Sequence, residues 1–115
     1  RFDTQGAPEV SFERWMSGST NGAVANSPGA LPLGTWHHLI VTFDGSQLTL
    51  YIDNRVASLN PVGCALPKTN NTWKIGYQNC DCSGNGFTGD LDEIAFYAAA
   101  LSAERVAVHY HASGR

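Results

Sequence analysis

The most acidic stretch of the chain is "GDLDE", Gly89–Glu93. Two carboxyl groups about 5 Å apart, one acid and one nucleophile, would suit retaining glycoside hydrolysis. The run Phe87–Tyr97 reads as the last long strand, and strand residues two apart share a face. Asp90 and Asp92 would then share one face, with Glu93 on the other. No carboxylate follows at position 94 or 96, so the acid pair is not completed. G-x-S-x-G, phosphate-loop and H-E-x-x-H patterns do not occur. The expectation is a protein that is not an enzyme.

Three cysteines stand at Cys64, Cys80 and Cys82. Three thiolates could begin a zinc site, but structural zinc takes four ligands. A disulfide from Cys64 to Cys80 or Cys82 is the expected use, which implies an oxidising compartment. The third cysteine is left free or pairs with another chain. His37 and His38 are adjacent, so on a regular strand they face opposite ways and cannot grip one ion. A structural role is expected for both, and a core or edge-packing role for Trp36.

The elements that must position these groups are short and β-rich. Turn signals recur at Asn21-Gly22, Pro28-Gly29, Asp44-Gly45, Asp53-Asn54, Asn60-Pro61 and Ser83–Gly86. That is the punctuation of a sandwich or barrel. Val10–Trp15 and Gly22–Asn26 are predicted strands. Leu39, Val41 and Phe43 alternate, as do Leu48, Leu50 and Ile52, so one face of a hairpin meets a core. Asp44-Gly45-Ser46-Gln47 closes it, with Asp and Gly tolerating positive φ. Asp53-Asn54 makes a second tight turn into a strand from Arg55, and Thr49, Tyr51 and Asp53 take the outer face. Ile40 and the Trp-His-His prefix predict a first strand covered on both sides at its start. Trp73–Tyr77 is a further predicted strand. Ser102 caps a short helix with Glu104 in its first turn, and Leu101, Val106 and Tyr110 are placed to pack back on the sheet.

The 115 residues make one domain or part of one. Hydrophobic residues are 43% of the chain, enough for a core, and charged residues only 15%. Net charge is −3, with no basic stripe, so neither nucleic acid nor an anionic membrane is an expected partner. No run approaches the roughly 18 apolar residues of a membrane helix, so no membrane insertion is expected. The chain starts at Arg1 without a visible signal peptide, as a mature or excised segment would.

Three segments together resemble a known family. They are "GTWHHLIVTFDGSQLTLYIDNRVAS", "WKIGY" and "FTGDLDEIAFYAAALSAERV". Their order is similar to the laminin G-like, pentraxin-like branch of the concanavalin A-like lectin/glucanase superfamily. The resemblance implies an all-β, antiparallel jelly-roll β-sandwich, here with a short C-terminal helix, often holding a structural calcium. Family domains carry several more strands before the W-H-H segment, whereas about 33 residues precede it here. Residues 1–115 are therefore expected to be a single such domain lacking its N-terminal strands.

The resemblance raises Asp92 as a Ca2+ ligand, with Asp81 in the polar loop as a second candidate. Sugar binding needs aromatic faces and a few aimed polar groups. Trp15, Trp73, Tyr77 and Tyr97 are the aromatic candidates, and Arg14, Asn79, Asp81 and Asn85 the polar ones. The expected function is an extracellular, secreted or cell-surface recognition module that binds glycan. The alternative is a structural or adhesive subunit whose exposed sheet edges pair with strands of another chain. A fragment of a glycoside hydrolase is the second alternative.

Overall fold

The computed structural model describes residues 9–14, 23–62, 74–76 and 87–114. Five strands and one helix lie within them: β1 Ser11–Arg14, β2 Ala23–Asn26, β3 Leu39–Phe43, β4 Gln47–Ile52, β5 Arg55–Pro61 and α1 Ala103–Ala112. All strand pairing is antiparallel. β1 and β2 form one sheet, and β3-β4-β5 a second in meander order.

The two sheets pack face to face through β2 on β4 and β5. The core is Ala23 and Ala25 from β2 against Leu48 and Leu50 from β4. Alanines on one side let the sheets approach, and leucines on the other fill the gap. Phe12, Val41, Phe43, Ile52, Ala57 and Val62 surround this centre. The Asn60 amide donates to the Val24 carbonyl across the layers, which satisfies a polar group where water is scarce. Ser27 is buried and fully used: its N–H donates to Val10 O (2.8 Å), while its Oγ accepts from Val10 N and donates to Gly29 O.

Alternation explains the hairpin. Leu50 sits opposite Val41 and Ser58, and Leu48 opposite Phe43 and Asn60, all on the inner face. The outer face carries Thr49 and Tyr51, with Leu59 and Val56 as their β5 partners and a register shift between Leu50 and Tyr51. Thr49 is buried there, whereas Val56 and Leu59 are about half exposed (53% and 54%).

The two turns work differently. Gly45 takes the positive φ of the first (103°). Asp44 instead supplies its carboxylate: Oδ1 accepts from Ser46 N (2.8 Å), Gln47 N (2.7 Å) and Ser46 Oγ. In the second turn both Asp53 (49°) and Asn54 (62°) are left-handed, the pairing that matches strand twist in a two-residue hairpin.

Those bonds to Asp44, the Ser46 N–H first and then the Gln47 N–H, hold its carboxyl below the ordinary aspartate value. A folded-state value below the unfolded one stabilises above the unfolded pKa and is lost as pH falls through the folded one. Asp44→Ala is therefore expected to melt below the parent chain at neutral pH, with the gap closing as pH drops below about 4. Paired thermal melts across pH check this, and a gap constant down to strong acid contradicts it.

The helix starts as its sequence predicts. Ser102 is the N-cap, with Oγ accepting from Arg105 N (3.3 Å), and Glu104 sits in the first turn. Val106 is fully buried, Leu101 and Tyr110 are half-buried, and the Tyr110 ring meets His38 edge-on at 5.8 Å.

Three expectations are corrected. Phe87–Tyr97 forms no strand: Glu93 has φ 53° and its N–H bonds the Asp92 carboxylate (2.9 Å). The backbone therefore breaks at the acidic segment, and the alternating-face account of Asp90, Asp92 and Glu93 does not apply. Residues 74–76 also form no strand, with Gly76 at φ 76°. Trp36 is 52% exposed and Leu39 is exposed, so the start of β3 is not covered on both sides.

Candidate functional site

The most organised polar cluster sits where the chain enters β3 and where β4 turns into β5. Asp53 is its hub. Its Oδ1 accepts from His38 N (2.9 Å), its Oδ2 from His37 Nδ1 (2.7 Å), and its own N–H donates to His38 O (2.9 Å). On the far side of the imidazole, Nε2 lies 3.0 Å from Thr35 Oγ1 and 3.3 Å from Pro32 O. One carboxylate thus ties the Trp-His-His entry to the β4–β5 turn. A hydroxyl, imidazole and carboxylate in series invite comparison with a hydrolase triad. Here Thr35 Oγ1 donates to Pro32 O at 3.1 Å, so its proton serves to hold the loop.

Beside this cluster is an open hollow of about 570 Å³ lined by Ile52, Asp53, Asn54, Arg55 and Tyr110. Its volume falls in the ~300–1,000 Å³ range of small-ligand sites. The left-handed turn fixes Asn54 and the first residue of β5, Arg55, while the helix delivers Tyr110 from more than fifty residues away. Among the described residues, the Asn54 amide, the Arg55 guanidinium and the Tyr110 hydroxyl make no hydrogen bond or ion pair. Tyr110 is steadied by edge-on rings, His38 on one side and His111 (5.5 Å) on the other. Turn, stem and ring form a surface with one aromatic, one amide and one cation available to a ligand.

Trp15, Trp73, Tyr77, Asn79, Asn85 and the side chain of Arg14 lie outside the described residues, as do Asp81, Cys64, Cys80 and Cys82. Tyr97 is exposed, with its hydroxyl 3.4 Å from His109 Nε2. Asp92 is exposed with one oxygen on the Glu93 amide. Calcium takes six to eight oxygens, and among the described residues no group of three His, Cys, Asp or Glu side chains is placed to hold a metal ion. They do not build a calcium site by themselves.

The comparisons with known proteins bear on the sheets around this hollow. A laminin G family profile, described as the concanavalin A-like lectin/glucanases superfamily, matches residues 1–107. The chain belongs to this superfamily. The packed antiparallel layers and the C-terminal helix agree with its β-sandwich. A crystal structure of an S-layer domain-containing protein (residues 221–444) from Clostridium thermocellum ATCC 27405 is similar at a TM-score of 0.59 and 27% identity. The likeness covers 90% of this chain and 52% of that one, so the laminin G-like chain spans about half the length of the solved domain. No curated protein matches it.

Sequence reasoning missed Asn54, Arg55 and Tyr110 as site residues. It read Asp53-Asn54 as a turn and Tyr110 as packing. A signal was present: an amide and an arginine beside a tight turn are polar groups on a rigid support.

Proposed function

We propose that this laminin G-like chain is an extracellular, non-catalytic recognition module that binds glycan through the β4–β5 turn and Tyr110. The observation that carries the reading is the hollow, where a steadied aromatic ring stands beside an amide and a guanidinium without other partners among the described residues. Sugars are bound by C–H faces on aromatic rings and by hydroxyl bonds to such groups. The superfamily and the similarity to an S-layer domain-containing protein support a surface setting. A glycan array, followed by NMR titration of the labelled chain, tests it. Hits that shift the amides of Asn54, Arg55 and Tyr110 support the site, and an array without hits rejects it.

A structural calcium remains part of the proposal, with Asp92 giving one ligand and oxygens beyond the described residues, Asp81 among them, completing the shell. Saturating calcium is then expected to raise Tm, and Asp92→Asn to remove most of the rise. No shift on adding calcium or EDTA removes the ion from the reading.

One observation favours a second reading, a structural or adhesive subunit completed by strands of another chain. Val56 and Leu59 on β5, the end strand of the described sheet, are at least half exposed, as are Leu91, Ile94, Phe96 and Tyr97 in a segment that forms no strand. Apolar edges of this kind attract pairing. Native mass under non-reducing conditions separates the readings: 12.3 kDa speaks for the lone lectin, and a ladder of larger species for assembly.

A further inference from the structure

We infer that the hollow beside Tyr110 selects a sugar that carries a carboxylate, a uronic acid, with Arg55 as its counter-charge. The inference rests on the glycan reading and names its substrate class. The chain has 10 acidic residues against 7 Lys and Arg. Among the described residues no acid lies within ion-pair distance of Arg55, so its charge is open to a ligand. Asp53, a lining carboxylate, is spoken for. Both its oxygens already accept hydrogen bonds, from His37 Nδ1 and His38 N.

Rigidity gives the arginine direction. Arg55 pairs with Ile52 as the closing pair of a two-residue turn. Two left-handed residues, one of them anchored by three hydrogen bonds, fix where its stem begins. A guanidinium offers a planar fork that matches a carboxylate in a bidentate pair. Asn54 and Tyr110 line the same hollow and offer an amide and a hydroxyl to ring hydroxyls. A neutral sugar would use these two and leave the cation without a partner. A uronic acid uses all three.

The test is isothermal titration of the 115-residue chain with a galacturonic acid dimer, the matching neutral galactose dimer and inorganic phosphate. The expected result is acid dimer binding about tenfold tighter than neutral dimer, the scale of one charge-assisted pair, with the preference shrinking in high salt. Arg55→Gln should erase the preference at unchanged Tm, and Arg55→Lys should keep part of it. Tyr110→Leu should weaken both dimers; because it also touches His38, its fold is checked by Tm. Equal binding of the two dimers, or a preference that survives Arg55→Gln, overturns the uronic acid inference and leaves the glycan reading standing. Phosphate binding as tightly as the acid dimer, without dependence on Tyr110, reduces the hollow to an anion site and overturns the inference too. No binding of any sugar, on the array or in solution, overturns both.

Discussion

Leu50→Ala is expected to destabilise the chain by about 3–4 kcal/mol, within the measured range for buried leucines. Leu50 is wholly buried and faces β2, whose inward residues are Ala23 and Ala25. The size of the loss follows from that opposite wall. Where neighbours are long and flexible, they lean into a new void and recover contacts. Alanines have nothing to lean with, so the cavity stays open and the cost lies in the upper part of the range. For a domain of this size Tm should fall by about 4 °C per kcal/mol, so about 12–16 °C in all. Leu59→Ala is the matched control on the outer face, where the side chain is half exposed, and is expected to cost no more than about 0.5 kcal/mol. Urea melts of the two variants check the pair. A Leu50→Ala loss below about 1 kcal/mol would mean the two sheets do not share this core.

The contrast between Leu50 and Leu59 also shows how far the sequence could be read. Period-two alternation named the inner face of β3 and β4 because a strand's faces follow from local backbone geometry alone. Both turns and the Ser102 cap were legible for the same reason: their chemistry is completed within four residues. Phe87–Tyr97 has equally good apolar content, but a strand needs a ladder partner, and nothing in a local pattern supplies one. The left-handed Glu93 then interrupts the extension at the acidic segment. Of the two readings of Trp36, core or edge packing, only the core one fails, because burial depends on what the rest of the fold lays over it. The hollow was illegible on different grounds. Asn54 and Arg55 look like turn filler until the helix brings Tyr110 beside them, and that juxtaposition exists only in three dimensions. Apart from Tyr97, the sugar-binding residues named from sequence have side chains outside the described residues, and so do all three cysteines.

Asp53 ties scaffold to site, and its replacement should separate the two. Asp53→Ala is expected to cost about 2–4 kcal/mol, combining a bond to a charged group with an unfavourable backbone. The first part comes from losing His37 Nδ1 and His38 N as donors to one carboxylate. The second arises because Asp53 holds φ 49°, where alanine pays for its Cβ. Asp53→Asn isolates the first part. Asparagine accepts the left-handed conformation and can still receive the His38 N–H, so only the charged partner of His37 is lost, at about 1–2 kcal/mol. A double-mutant cycle with His37→Gln should return a coupling of at least about 0.5 kcal/mol. Near-zero coupling would show that the imidazole and carboxylate are neighbours without mutual stabilisation. The consequence for recognition should exceed the loss of stability. Asn54 and Arg55 follow Asp53 directly, so once the turn loosens, the amide and guanidinium must be ordered afresh at each binding event. Asp53→Asn, still folded at room temperature, is therefore expected to bind the acid dimer more weakly than the parent chain although Arg55 is intact. Hydrogen exchange should quicken first at the amides of His38 and of the residue at position 53. If those amides stay protected while binding falls, the carboxylate touches the ligand itself instead of holding the turn that does.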